Sequence, residues 1–176
     1  MGLCQSANLT RTDDDIRAAV KLWCLNPKEA QRKYGHINQW DTSQVTNMSF
    51  LFLTQMKFNE AIGNWDVSNV TNMEQMFAGA SNFNQPLNEW NVSNVKNMKF
   101  MFTRAGSFNH SLDEWIINNS CKEKNTKVCG EQIRVLNMTN MHGMFWGASS
   151  FNQCLENWNL DELSLKNLFL KDQEFE

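Results

Sequence analysis

Large apolar residues recur along this chain with a fixed step. Trp40, Trp65, Trp90 and Trp115 are each 25 residues apart. Val45, Val70 and Val95 keep the same spacing, as do Met48, Met73 and Met98. Leu51, Met76 and Met101 follow, then Phe52, Phe77 and Phe102. Phe58, Phe83 and Phe108 are each followed by an asparagine (Asn59, Asn84, Asn109), and Ile62, Leu87 and Leu112 close the unit. So many phased matches identify a tandem repeat, the sequence signature of an array whose units bury one another's apolar faces. A fourth unit is displaced. Met141, Met144, Phe145, Phe151, Asn152, Leu155 and Trp158 keep the internal spacing but count back to Ile133 in the tryptophan slot, so about 18 extra residues interrupt the turn begun at Trp115.

Within a unit, Thr71 to Glu74 reads as a capping box and Met73, Met76 and Phe77 as one face of a short helix. Gly79 is placed to end that helix in a left-handed cap. The alternation of Trp90 and Val92 suits a short strand with Asn91 and Ser93 turned outward. One short parallel strand and one short helix per 25-residue unit is the pattern of an α/β repeat solenoid of the leucine-rich-repeat kind, and such arrays need caps at their ends. Thr12 and three aspartates precede an apolar stripe of Ile16, Ala19, Val20, Trp23 and Cys24, and Asn26-Pro27-Lys28-Glu29 restarts a second helix. The expected organisation is a flexible tail over 1–11, a helical N-terminal cap over 12–36, a repeat solenoid over 37–158 with an insertion at about 116–132, and a C-terminal cap and tail over 159–176. The structural stack is expected from Trp40, Trp65, Trp90, Trp115 and Trp158 together with Phe52, Phe77, Phe102 and Phe145.

Composition narrows the function classes. A net charge of −3 argues against a nucleic-acid face, which needs clustered Lys and Arg. No stretch approaches the roughly 20 apolar residues that cross a bilayer. Arg11 and Asp13, Asp14 and Asp15 arrive before any apolar run that a secretory signal requires. An odd count of five cysteines (Cys4, Cys24, Cys121, Cys129, Cys154) favours free thiols in a reducing, cytoplasmic setting, with a Cys121–Cys129 pair as the alternative for an exported chain.

The segments running from Trp65 to Phe77 (WDVSNVTNMEQMF) and from Trp90 to Phe102 (WNVSNVKNMKFMF) resemble the BspA-like leucine-rich-repeat surface proteins, also described as the bacterial surface protein or mycoplasma lipoprotein repeat. The resemblance covers about residues 37–158. It implies adhesion or protein binding through a repeat scaffold and carries no catalytic residues. The chain departs from that pattern in its insertion and in an N-terminus without an export signal.

Little in the chain points to chemistry. Gly2 and Ser6 fit the N-myristoylation pattern and Cys4 is placed for palmitoylation, which together hold a membrane where one chain alone does so marginally. A bacterial lipobox is not expected, with only three residues before Cys4. The sequons at Asn8, Asn47, Asn69, Asn91, Asn118 and Asn137 read as by-products of the repeat. His36, His110 and His142 stand apart, and Cys121 and Cys129 lack zinc-knuckle spacing, so no metal, cofactor or small-molecule substrate is expected. The asparagine column of Asn59, Asn84, Asn109 and Asn152 reads as hydrogen-bonding buried backbone at a turn. Two surfaces remain for a protein partner. One is the outward row Asp41, Ser43, Asp66, Ser68, Asn91 and Ser93; the other is the insertion, with Lys122, Lys124 and Lys127. The expected function is a non-catalytic interaction or scaffold module, tethered to the cytoplasmic face of a membrane; the alternative is an exported, adhesin-like protein at the cell surface.

Overall fold

A computed structural model describes residues 8–117 and 139–170. The chain opens with strand β1 (Thr10–Thr12), then helices α1 (Ile16–Leu25) and α2 (Pro27–Tyr34), a 3-10 turn at Ile37–Gln39 and strand β2 (Asp41–Gln44). A second 3-10 turn at Glu156–Trp158 and helix α3 (Glu162–Asn167) close it. β1 and β2 pair in parallel, with Thr10 opposite Asp41 and Thr12 opposite Gln44. Residues 10 and 11, expected in the tail over 1–11, belong to the cap: Arg11 is buried, ion-paired to Asp15 at 2.9 Å with its guanidinium over the Tyr34 ring.

Between these ends, successive units lie one on another. Parallel bridges join Asn47 to Asn72, Asn72 to Asn97 and Asn97 to Asn140. The helix expected at 71–79 does not form, nor do the strands expected in the second and third units. The reason lies in the destination of the backbone N–H groups. Met73, Gln75, Phe77 and Gly79 donate across to Asn97, Lys99, Met101 and Thr103 of the following unit. The residues between them close turns instead: Met76 donates to Met73, Ala78 to Gln75 and Ala80 to Phe77. An α-helix needs every N–H for its own i−4 carbonyl, so this alternation excludes it. The expected capping box is also replaced. Asn72 Oδ1 accepts the Glu74 N–H at 3.0 Å, while the Thr71 hydroxyl turns to the Thr46 carbonyl of the preceding unit.

The turns require left-handed backbone at two columns. Phe50, Gln75, Phe100 and Gly143 form one, with φ of 63°, 51°, 57° and 62°; Thr54, Gly79, Arg104 and Gly147 form the other. Gly79 does adopt the left-handed conformation, as a turn residue rather than a helix cap.

Three aromatic ladders fill the interior. Phe52, Phe77, Phe102 and Phe145 stack with ring centroids 5.3, 5.5 and 5.7 Å apart. Phe58, Phe83, Phe108 and Phe151 run beside them at 5.8, 5.9 and 6.1 Å. Trp40 stacks on Trp65 at 6.0 Å, Trp90 on Trp115 at 6.4 Å, and Trp115 on Trp158 at 6.2 Å. The tryptophans also bond along the stack, because the indole N–H groups of Trp65, Trp90, Trp115 and Trp158 donate to the carbonyls of Ile37, Ile62, Leu87 and Leu112. A buried indole thus meets both its packing and its polar requirement. The displaced unit keeps this register, since Asn152 bonds Asn109 across 43 residues just as Asn84 bonds Asn59 across 25. Ile133 and most of the expected insertion lie outside the described residues.

At the first unit, two residues of the cap stand in for a preceding unit. Asp13 accepts the Thr46 and Asn47 N–H groups at 2.9 and 3.0 Å, the place that a backbone carbonyl fills further along. Arg17, one turn on in α1, donates to the carbonyls of Asn47 and Ser49. Burial pushes the Asp13 carboxyl up, but bonds from the Thr46 hydroxyl and the Thr46 and Asn47 amides, with Arg17 nearby, outweigh it and hold it below its ordinary value. A depressed carboxyl contributes stability above its unfolded value and loses it as pH falls through the folded one. Hydrogen-exchange protection of the Thr46 and Asn47 amides is therefore expected to fall below about pH 4, and Asp13→Asn is expected to remove that step.

Candidate functional site

The outward row is built from one local motif used three times. In each unit an exposed Asp or Asn accepts the N–H of the serine two residues on: Asp41 from Ser43 at 3.0 Å, Asp66 from Ser68 at 2.9 Å, and Asn91 from Ser93 at 3.2 Å. Side chains of this kind favour such turns because they mimic a backbone acceptor. The residue between each pair points inward: Thr42, Val67 and Val92 are buried. The row consequently alternates outward and inward as the sequence indicates, although only β2 is a strand. Asp41 is held below the ordinary carboxyl value by the Ser43 hydroxyl and N–H, opposed by slight burial and helped by Thr10.

Residues outside the expected set tie the row together. Asn69 Nδ2 donates to the Ser43 carbonyl at 2.8 Å and Asn94 Nδ2 to the Ser68 carbonyl at 2.7 Å, linking each motif to the next. Their signal in the sequence is the same 25-residue step. In the fourth unit Ile116, 72% exposed, stands where the others carry Asp41, Asp66 and Asn91. A cleft of about 420 Å³ beside it is lined by Glu89, Trp90, Asn91 and Glu114, and a second of about 300 Å³ by Asp113, Glu114, Trp115 and Trp158. These acidic clefts have no counterpart in the row as read from the sequence.

The asparagine column does accept backbone N–H groups, but these belong to exposed or half-buried residues of the next unit rather than to buried backbone. Asn59 Oδ1 accepts the Asn84 N–H, Asn84 the Asn109 N–H, and Asn109 the Asn152 N–H, at 2.9, 3.0 and 3.0 Å. Trp40, Trp65, Trp90, Trp115, Trp158, Phe52, Phe77, Phe102 and Phe145 lie in the ladders described above. Gly2, Cys4, Cys121, Lys122, Lys124, Lys127 and Cys129 lie outside the described residues. Cys24 and Cys154 are free thiols. Burial, with Glu60 nearby, pushes the Cys24 thiol up to about 11, which keeps it protonated and unreactive near neutral pH. Among the described residues no group of three or more His, Cys, Asp or Glu side chains could hold a metal ion, and no helix is long and apolar enough to cross a membrane.

A family model described as Mycoplasma protein of unknown function, DUF285, matches residues 26–129 and again 119–176. No curated protein and no solved structure matches the chain.

Proposed function

The chain belongs to this Mycoplasma family of repeat-containing proteins of unknown function, and on that premise we propose that it is a non-catalytic protein-interaction or scaffold module. Its array is a solenoid of the BspA-like, leucine-rich-repeat kind, and a protein partner lies along the row Asp41, Ser43, Asp66, Ser68, Asn91 and Ser93, with the insertion lysines Lys122, Lys124 and Lys127 as a second contact. The observation that supports this reading is the row itself. Exposed Asp and Asn side chains recur at one spacing on a frame held by buried aromatic ladders, and a rigid scaffold lowers the ordering cost of association.

The test is photo-crosslinking from position 68 in cells of the source organism. A single partner captured by the parent chain and lost in Asp41→Lys/Asp66→Lys, with unfolding unchanged, supports the row as the contact. Equal capture by both proteins refutes it. Attachment to a cytoplasmic membrane face through acylated Gly2 and Cys4 belongs to the same proposal. The resemblance of the repeat to BspA-like surface proteins gives a second reading, an exported adhesin-like protein at the cell surface. The intact mass of the native chain separates the two: added acyl mass after loss of Met1 supports the tether, and a Cys121–Cys129 disulfide supports export.

A further inference from the structure

Charge is divided unevenly around the array. The segments 37–45, 62–70, 87–95 and 112–117 make up the face that carries the outward row, and they contain five carboxylates (Asp41, Asp66, Glu89, Asp113, Glu114) but no Lys or Arg. Lys57, Lys96, Lys99 and Arg104, the Lys and Arg residues between 37 and 117, all fall on the remaining stretches of the units. Asp41, Asp66, Glu89 and Glu114 are exposed, and the ion pairs of the described residues, Arg11 with Asp15 and Lys166 with Glu162, lie elsewhere. Like charges on successive units repel, and no cation of this face offsets them. Two of the carboxylates are nonetheless held in place, because Asp41 and Asp66 each accept a serine N–H through Oδ1. The row ends on Ile116, an exposed apolar side chain that borders both clefts.

We propose that this face binds a basic amphipathic helix of a partner protein, laid along the array with one helical turn on each unit. The inference rests on the reading of the row as a protein contact and adds the chemistry of what the row meets. Charge selects the sign of the partner. Carboxylates without cations repel nucleic acid and anionic membrane alike and attract Lys and Arg. Spacing selects the helix. Ring centroids one unit apart in the ladders are separated by 5.3 to 6.4 Å, and an α-helix advances about 5.4 Å per turn. Positions i, i+4 and i+7 therefore share one helix face and reach successive units. Same-side residues of an extended segment lie about 6.6 Å apart and fall progressively out of step. Cations at the first two positions meet Asp41 and Asp66, and the third meets Glu89 beside Asn91. At i+11 the helix reaches Ile116, where an apolar side chain enters the cleft lined by Trp90, Asn91 and Ile116, with Glu114 at its edge. Side chains already held by the frame lose little freedom on binding.

The probe is a labelled synthetic peptide of about 16 residues, with lysine at i, i+4 and i+7 and leucine at i+11 on an alanine and glutamine background. Its fluorescence anisotropy with the intact chain is expected to give a micromolar dissociation constant at about 50 mM salt, weakened several-fold at about 300 mM. Glu89→Gln/Glu114→Gln removes two charges beside the row and is expected to weaken binding by about three- to tenfold. Ile116→Ser is expected to weaken it by about fivefold or more. These side chains are exposed, so the thermal midpoint of either variant is expected to stay unchanged. A scrambled peptide of the same composition is expected to bind at least about fivefold more weakly. Equal binding of the two peptides overturns the helix, and equal binding by the parent chain and either folded variant overturns the site. Absence of binding up to about 1 mM overturns both. Binding that appears only in Lys122→Gln/Lys124→Gln/Lys127→Gln does so too, and assigns the face to the chain's own insertion. A partner captured through position 68 without any peptide binding leaves the row as the contact and sinks the basic helix alone.

Discussion

Phe77→Ala is expected to lower the unfolding free energy by roughly 3–5 kcal/mol, the range for deleting a fully buried phenylalanine. Phe77 has no exposed surface and sits at a crossing of two directions of packing. Along the array it stacks between Phe52 and Phe102; within its own unit it lies 4.1 Å from the Phe83 ring. Alanine leaves a cavity facing both neighbouring units, which cannot collapse because each is held by backbone bonds at fixed spacing. Urea unfolding measures the loss. Phe169→Ala removes the same side chain at the half-exposed end of the ladder and serves as the internal comparison. Should the two variants cost the same, the loss does not follow burial within the ladder, and the argument fails.

Gly143→Ala is expected to destabilise by about 2–5 kcal/mol, from two costs of different origin. Gly143 has φ of 62°, where an L-residue costs roughly 1–2 kcal/mol. Its added Cβ then falls 2.1 Å from Phe100 Cε1 and 2.9 Å from the Leu170 carbonyl oxygen, and overpacking of that kind costs roughly 1–3 kcal/mol. The two contributions separate in a double-mutant cycle. Phe100→Ala removes the ring that the new methyl strikes, so Gly143→Ala in that background is expected to cost less than in the parent, leaving the backbone part and the contact with Leu170. Equal costs in both backgrounds contradict the packing part of the argument.

Gly143 also shows where reading the chain stops. Its column holds Phe50, Gln75 and Phe100 in the other units, all at positive φ. Residues with a Cβ give no warning of left-handed backbone, and only glycine hints at it. Met73, Met76 and Phe77 illustrate the same limit for hydrogen bonding. Their i, i+3, i+4 spacing fits a helix face, and a chain of turns that buries the same three side chains produces the same pattern. The outward row was legible because alternation of buried and exposed positions survives whether or not a strand forms. Its internal bonds were half legible: Asp and Asn two residues before serine is a turn signal, whereas Asn69 and Asn94 reaching into the preceding unit is visible only in three dimensions. The exposed Ile116 falls within the expected insertion, but the acidic clefts beside it carry no signal in the sequence, because they arise where an apolar residue replaces the polar member of a column.

The amino-acid order alone determined the 25-residue period, the identity of the aromatic columns and the residues of α1 and α2. Side-chain hydrophobicity and cap chemistry are local properties that repeat wherever the residues do. The tertiary structure decided which carbonyl each backbone N–H finds. That choice lies between a partner within the same unit and one a full unit away, and every residue's main chain offers the same donor and acceptor. Only the stacking of neighbours brings the distant carbonyl within reach, and with it the turns and the left-handed columns.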